Sequence, residues 1–142
     1  MKKISKFSGT YRFLSNFFPS QMLIDGEFYD TVEHAYQAAK TDDPEKKKEI
    51  REAFSAGKAK KLGQRAELVE GWEEKKFEVM ERLVREKFKQ NQKIAMELAA
   101  TGDKQLIEGN TWGDTIWGVC GGVGENNLGK ILMRVRDELN TQ

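Results

Sequence analysis

The sequence has very few of the residues that build disulfide bonds or metal centres. It contains one cysteine, Cys120, and one histidine, His34. A disulfide within the chain needs two cysteines, and a Cys/His zinc centre needs about four such ligands, so both are excluded. We therefore expect no metal site. Such low cysteine usage is typical of a reducing compartment, and we expect a cytoplasmic protein.

Long apolar runs are also missing. No segment approaches the roughly 18 consecutive apolar residues that a membrane span needs. The charged N-terminal segment is not followed by the apolar stretch of a secretory signal, so we expect no membrane partner. The two prolines, Pro19 and Pro44, do not lie in linker-like stretches, and 142 residues are the size of one ordinary domain. The prediction is a single compact domain over residues 1–142.

An excess of charge of one sign is the third absence. Lys and Arg number 24 and Asp and Glu number 23, so the formal net charge is +1. Binding a nucleic acid mainly through charge needs a basic excess on one face, so we expect only weak, salt-sensitive binding to unmodified DNA. The eight Phe, three Trp and three Tyr exclude a disordered chain.

The local patterns predict an α+β fold that is mostly α, with a small β-hairpin. Asp25-Gly26 stands between two short apolar runs, which is a strong hairpin signal. Spacings of three and four residues between Phe77, Met80, Val84 and Phe88 predict a helix over residues 72–90. Other helices are predicted over residues 30–40, over 45–56 up to an interruption at Gly57, over 91–99, and from Asn126 or Asn127 onward. Residues 11–19 are predicted as irregular or extended, and residues 105–125 as a loop.

The helix predicted after Asp30 carries the first candidate site. Glu33, Gln37 and Lys40 are spaced by four and three residues and therefore share one face. Glu33 and Lys40 are about 10 Å apart along the helix axis, which leaves room for a ligand between them. A structural interpretation competes, because Asp30 as N-cap with Glu33 would form a capping box. His34 lies beside this face and acts either on the substrate or as a structural hydrogen-bond partner.

Two later segments are further candidates. The glycine-rich residues 120–129 open the last helix, so their backbone N–H groups either bind phosphate or only connect two elements. Trp112 and Trp117 stand among polar groups in residues 108–118, where they either stack on a base or pack inside the protein.

Several short motifs follow one another along nearly the whole chain. They are Phe13-Leu-Ser15-Asn16-Phe17, Glu33-His34-x-x-Gln37-x-x-Lys40, Trp72 with Lys76 and Met80, Lys87-Phe88, Thr101-Gly102-Asp103, Leu106-Ile107-Glu108-Gly-Asn110, Asp114, Trp117-Gly118 and Asn127-Leu-Gly129-Lys130. In this order they resemble the NADAR family, the YbiA-like proteins.

The resemblance implies an N-glycosidase, a hydrolase that acts on the N-glycosidic bond of a riboside. Members of the family are described as acting on early riboflavin intermediates, such as phosphoribosylamino-pyrimidines, and others as removing ADP-ribose from guanine bases. In the family the motif lysine forms an imine with the opened ribose. That lysine maps to Lys40 and the motif glutamate to Glu33, and Asp114 is a further catalytic candidate.

The expected substrate-binding residues combine the helix face with the family motifs. They are Asn16, Phe17, His34, Tyr36, Gln37, Trp72, Trp112, Trp117 and Asn127. We expect no cofactor. The expected partner is a small-molecule riboside, an ADP-ribose conjugate, or ADP-ribosylated nucleic acid. The alternative is a non-catalytic module that binds ADP-ribose or another nucleotide.

Overall fold

The computed structural model describes residues 2–141, which group into two compact units. One unit is Asn16–Gln90, and the other combines the described residues up to Ser15 with those from Asn91 onward. The prediction of one domain over residues 1–142 is not tested by this grouping and stays a prediction. In chain order the elements are β1 (Lys3–Ile4), a 3₁₀ helix (Gly9–Leu14), β2 (Met22–Ile24), β3 (Glu27–Tyr29), α1 (Val32–Ala39), α2 (Pro44–Arg51), α3 (Ala56–Gly63), α4 (Trp72–Gln90), α5 (Gln92–Ala100), β4 (Gln105–Leu106), β5 (Gly109–Asn110), β6 (Val119–Cys120) and α6 (Asn127–Asn140).

The fold is α+β and mostly α, as the sequence predicts, and the hairpin lies where Asp25-Gly26 placed it. Strands β2 and β3 pair antiparallel with Ile24 opposite Glu27. The φ angles of Asp25 and Gly26 are 50° and 85°, which are the positive values that a tight two-residue hairpin turn requires. The Arg82 guanidinium of α4 donates to both carboxylate oxygens of Asp25, at 3.1 and 2.8 Å, and so fixes the turn against this helix.

Helix α1 is the centre of the Asn16–Gln90 unit. It packs against α2, α3 and α4, and all its residues from Val32 to Ala38 are buried. The small side chains of Ala35 and Ala38 allow this close packing. Because the helix is covered on several sides, the polar side chains on it are held in fixed positions.

Three local predictions were wrong. Helix α2 ends at Arg51, and a separate helix α3 begins because the Ser55 hydroxyl accepts from Lys58 N and caps it, so Gly57 lies inside a helix. Residues 105–125, predicted as a loop, contain the short strands β4, β5 and β6. Residues 11–19 were predicted as irregular or extended, but the first four of them form the end of the 3₁₀ helix Gly9–Leu14.

The other unit joins short strands to two helices. Strands β1 and β4 pair parallel, as do β5 and β6, while α5 packs against α6. Arg136 of α6 donates to Thr101 Oγ1 at 3.1 Å and to Lys104 O at 2.7 Å, which fastens α6 to the end of α5. Helix α6 begins at Asn127, as predicted, and its apolar stripe is buried at Leu128, Ile131, Leu132 and Val135. Within residues 2–141, no helix combines the length and the apolar character needed to cross a bilayer.

Lys87 of α4 is fully buried. Its Nζ lies 5.2 Å from the ring centroid of Phe88 and 5.9 Å from that of Phe18. Burial lowers the pKa of this ammonium from 10.5 to about 7. The unfolded chain therefore binds more protons than the folded chain between these pH values, and stability falls as the pH is lowered through this range.

Lys87→Met should abolish most of this pH dependence. We expect the stability of the variant relative to the natural chain to be about 3 kcal/mol greater at pH 7 than at pH 9.5. Urea unfolding at both pH values measures the difference. Lys89→Met, at an exposed position of the same helix, is the control and should keep the natural pH dependence. Equal pH dependence in Lys87→Met and the natural chain would show that Lys87 titrates in its ordinary range.

Candidate active site

Helix α1 begins one residue later than the capping-box interpretation required. Thr31 is extended, with φ −145° and ψ 163°, and its Oγ1 accepts from His34 N at 3.0 Å. The competing interpretation, a capping box of Asp30 and Glu33, is therefore wrong. Glu33 N donates instead to the backbone oxygen of Asn16 at 3.1 Å. The carboxylate of Glu33 thus has no part in starting the helix.

The Glu33 side chain is buried and bound to its neighbour on the same face. Gln37 Nε2 donates to Glu33 Oε2 at 2.6 Å. Burial raises the pKa of the Glu33 carboxyl, and this effect exceeds the opposing ones of the Gln37 hydrogen bond and of the charges on Lys60 and Lys40. A carboxyl with a raised pKa keeps its proton to a higher pH than an ordinary glutamic acid, which suits a general acid–base group.

Gln37 is suited to hold Glu33 in both protonation states. Its side chain is 3% exposed, and no protein group among residues 2–141 donates to its Oε1. With an ionised Glu33, Nε2 of the amide donates. With a protonated Glu33, the amide can turn so that Oε1 accepts. The predicted sharing of one helix face by these two residues is confirmed by their hydrogen bond.

Lys40 follows the last turn of α1 with a half-buried side chain. Burial lowers the pKa of its amine, and the charges of Lys60 and Lys76 lower it further, whereas the carboxylate of Glu33 raises it. The backbone is fixed because Lys40 O accepts from Val69 N at 2.7 Å. An amine with a lowered pKa is more often neutral and can therefore attack carbon.

Aromatic rings line the same part of the unit. Lys40 Nζ lies 5.6 Å from the ring centroid of Tyr36, and the Tyr36 and Trp72 centroids are 5.3 Å apart with a tilt of 51°. Asn16 Nδ2 donates to Met80 Sδ at 3.4 Å. Phe17 is 45% exposed. The same unit as Glu33 and Lys40 contains Asn16, Tyr36 and Trp72. Contact of these three residues with substrate stays a prediction.

His34 occupies a structural position. Its ring is buried, with Nδ1 2.8 Å from Thr31 Oγ1 and Nε2 3.0 Å from Ala53 O. A carbonyl can only accept, so Nε2 carries the hydrogen and Nδ1 accepts from the hydroxyl. Both ring nitrogens are thus bound to protein groups. This favours the structural interpretation, and the expected substrate contact of His34 has no support from the geometry.

Two residues of α3 belong to this site and were missed. The charge of Lys60 acts on both Glu33 and Lys40. Gly63 lies against α1 so closely that an added Cβ would overlap Gln37 Oε1. Spacing alone could not reveal either residue, because their roles depend on how α3 packs against α1.

Gly63→Ala should therefore disturb the pairing of Gln37 with Glu33. We expect it to cost about 1–3 kcal/mol of stability through overpacking and to lower activity. Gly57→Ala in the same helix is the control, since the atom nearest to its added Cβ is Ser55 Oγ at 3.9 Å. That variant should keep its activity and its stability, or gain up to about 1 kcal/mol from helix propensity. Thermal unfolding and turnover measure both, and equal behaviour of the two variants would contradict the close contact.

Asp114 fixes a turn in the other unit. Its Oδ1 accepts from Ile116 N at 3.1 Å and Trp117 N at 2.9 Å. Asn110 Nδ2 donates to Asp114 O at 2.9 Å. Through these bonds Asp114 shapes the tryptophan loop, residues 108–118, which carries Trp112 and Trp117. A catalytic role of Asp114 stays a prediction. Trp112 is 64% exposed, and Trp117 is half-buried. Substrate binding by these two tryptophans stays a prediction.

The backbone amides at the start of α6 already have acceptors. Asn127 N donates to Ile116 O at 3.2 Å, and Leu128 N donates to Trp117 O at 3.0 Å. The Asn127 side chain also donates to Ile116 O, at 2.8 Å. The helix start therefore holds the tryptophan loop, which favours the connecting role of the glycine-rich residues over phosphate binding. Substrate binding by Asn127 stays a prediction.

Across the described part of the chain, no group of three or more His, Cys, Asp or Glu side chains is placed to hold a metal.

Comparisons with known proteins give one consistent result. The model of the NADAR domain family matches residues 4–140. The N-glycosidase YbiA of Escherichia coli (strain K12) is 36% identical over 135 residues, which cover 93% of this chain and 84% of that protein. A riboflavin biosynthesis protein of Vibrio vulnificus (strain YJ016) is 41% identical over 130 residues, which cover 89% of this chain and 35% of that protein. This chain therefore spans about a third of the length of that second relative.

A solved structure shows the same fold. The NMR structure of the E. coli protein YbiA matches with a TM-score of 0.87 and 34% sequence identity, covering 99% of this chain and 88% of that chain. The likeness confirms the predicted fold class.

Proposed function

This chain belongs to the NADAR family and is an N-glycosidase, and we propose that it hydrolyses the bond between C1′ of a ribose and a nitrogen of a base. The observation that carries this proposal is the pair on α1. A buried carboxyl with a raised pKa and a half-buried amine with a lowered pKa lie two helical turns apart. Shifts in these opposite directions suit an acid and a nucleophile.

The chemistry proceeds in two stages. The lone pair of Lys40 Nζ forms a bond to C1′ while the C1′–N bond breaks, and Glu33 gives its proton to the departing base. A proton then moves from Nζ to the ring oxygen, and the ribose opens to a protonated imine on Lys40. Water adds to the imine carbon as the Glu33 carboxylate takes a proton from it. Collapse of the adduct releases the free sugar and the neutral amine, and Glu33 is protonated again.

The proposed substrate is a phosphoribosylamino-pyrimidine of the riboflavin type. Its support is the riboflavin biosynthesis name of the Vibrio relative together with the N-glycosidase name of YbiA. ADP-ribosylated guanine has the same kind of ribose–nitrogen bond and is the second substrate to test. We further propose that the protein acts in the cytoplasm on small molecules, because its single cysteine suits a reducing compartment.

The test is a panel of substrates incubated with the protein. It contains a phosphoribosylamino-pyrimidine, ADP-ribosylated guanosine and ordinary ribonucleosides, and the released bases are separated by chromatography. We expect release of the pyrimidine by the natural chain and none by Lys40→Ala. Binding of any of these molecules without release of a base would favour a non-catalytic module and contradict the proposal.

A further inference from the structure

Lys60 lies on the face of α3 that packs against α1. It is four residues after the buried Ala56 and three before Gly63, so the three residues share one side of the helix. Gly63 touches the Gln37 side chain, which in turn binds Glu33. The half-buried Lys60 side chain is therefore attached close to the face of α1 that carries Glu33 and Gln37.

The Lys60 ammonium has no protein acceptor within residues 2–141, unlike other lysines around α1. Lys76 Nζ is 2.8 Å from Glu73 Oε1, and Lys47 Nζ is 2.9 Å from Ala38 O. The charges of Lys60 and the Glu33 carboxylate interact, and in the proposed reaction Glu33 is protonated when substrate binds. A partly desolvated ammonium beside a neutral acid and a neutral amine is unfavourable unless an anion joins it.

We propose that Lys60 recognises the phosphate on C5 of the substrate ribose. Lysine binds phosphate as a compact point charge with three donors. The other candidate for this task, the start of α6, has its first amides bound to the tryptophan loop. The inference rests on the proposed function, since it places the phosphorylated sugar at the site of Glu33 and Lys40.

The experiment compares a phosphoribosyl substrate with its dephosphorylated nucleoside. In Lys60→Gln, we expect kcat/KM for the phosphorylated substrate to fall about 10- to 100-fold more than for the nucleoside, because one charge-assisted hydrogen bond is lost. Lys60→Arg should restore most of the preference, since it keeps the charge. Lys61→Gln, at an exposed position of the same helix, is the matched control and should retain the natural ratio.

Equal losses on both substrates would overturn the proposal, because they would mean that Lys60 acts only through the charge balance of Lys40 and Glu33. Calorimetric binding of ribose, ribose 5-phosphate and ADP-ribose is the second measurement. Weaker binding of both phosphorylated sugars to Lys60→Gln than to the natural chain supports a shared phosphate contact, and unchanged binding refutes it. This binding result stands even if the natural chain cleaves neither substrate, which would defeat the proposed function alone.

Discussion

Lys40→Ala is expected to lower turnover at least about a thousandfold while the fold persists, because the substitution removes the nucleophile. Lys40 lies at the end of α1, and no protein acceptor within residues 2–141 binds its amine, so alanine should change stability by less than about 1 kcal/mol. Release of the base by chromatography gives the activity, and thermal unfolding gives the stability. Lys61→Ala on the exposed side of α3 is the control and should keep natural turnover.

Lys40→Arg separates a nucleophile from a positive charge that only holds the substrate. A guanidinium stays protonated and cannot attack C1′, so this variant should be as inactive as Lys40→Ala. Near-natural activity in Lys40→Arg would refute the nucleophile. Water activated by the Glu33 carboxylate would then be the better mechanism.

Glu33→Gln should lower turnover by about 10²- to 10⁴-fold, the usual loss when a general acid–base group is removed. The fold should not suffer, because Thr31 caps the helix and an amide at position 33 can still bond to Gln37. The raised pKa of Glu33 costs stability once the pH exceeds the ordinary glutamate value near 4.5. The variant should therefore be at least as stable as the natural chain at neutral pH, as urea unfolding can show.

The pH dependence of Glu33→Gln gives a second measurement. In the natural chain, activity should fall at low pH as Lys40 is protonated and at high pH as Glu33 loses its proton. The decline at high pH should be absent in Glu33→Gln, since an amide does not ionise. A variant that keeps the natural profile would show that another group supplies the proton to the base.

The sequence predicted the parts of this site that depend on local spacing. Glu33, Gln37 and Lys40 share a helix face because of the 3.6-residue period, and Asp25-Gly26 forms the hairpin because of its turn chemistry. Neither feature needs information from distant residues. Each of the two features can be predicted from about ten consecutive residues.

The sequence could not predict the features of the site that depend on contacts between distant segments. Asp30 and Thr31 can both cap a helix, and the structure has Thr31 in that role while Glu33 N bonds to the distant Asn16. In the sequence Lys60 looks like any solvated lysine, and only the packing of α3 against α1 places it near Glu33 and Lys40. The same packing explains why a glycine is needed at position 63.

Trapping of the imine tests the central claim most directly. Sodium borohydride added during turnover should reduce the imine, and mass spectrometry of the digested protein should find the reduced sugar on the peptide that contains Lys40. The adduct should require substrate and should be missing in Lys40→Ala. Continued release of base with no adduct, or an adduct on Lys60 in place of Lys40, would contradict the mechanism.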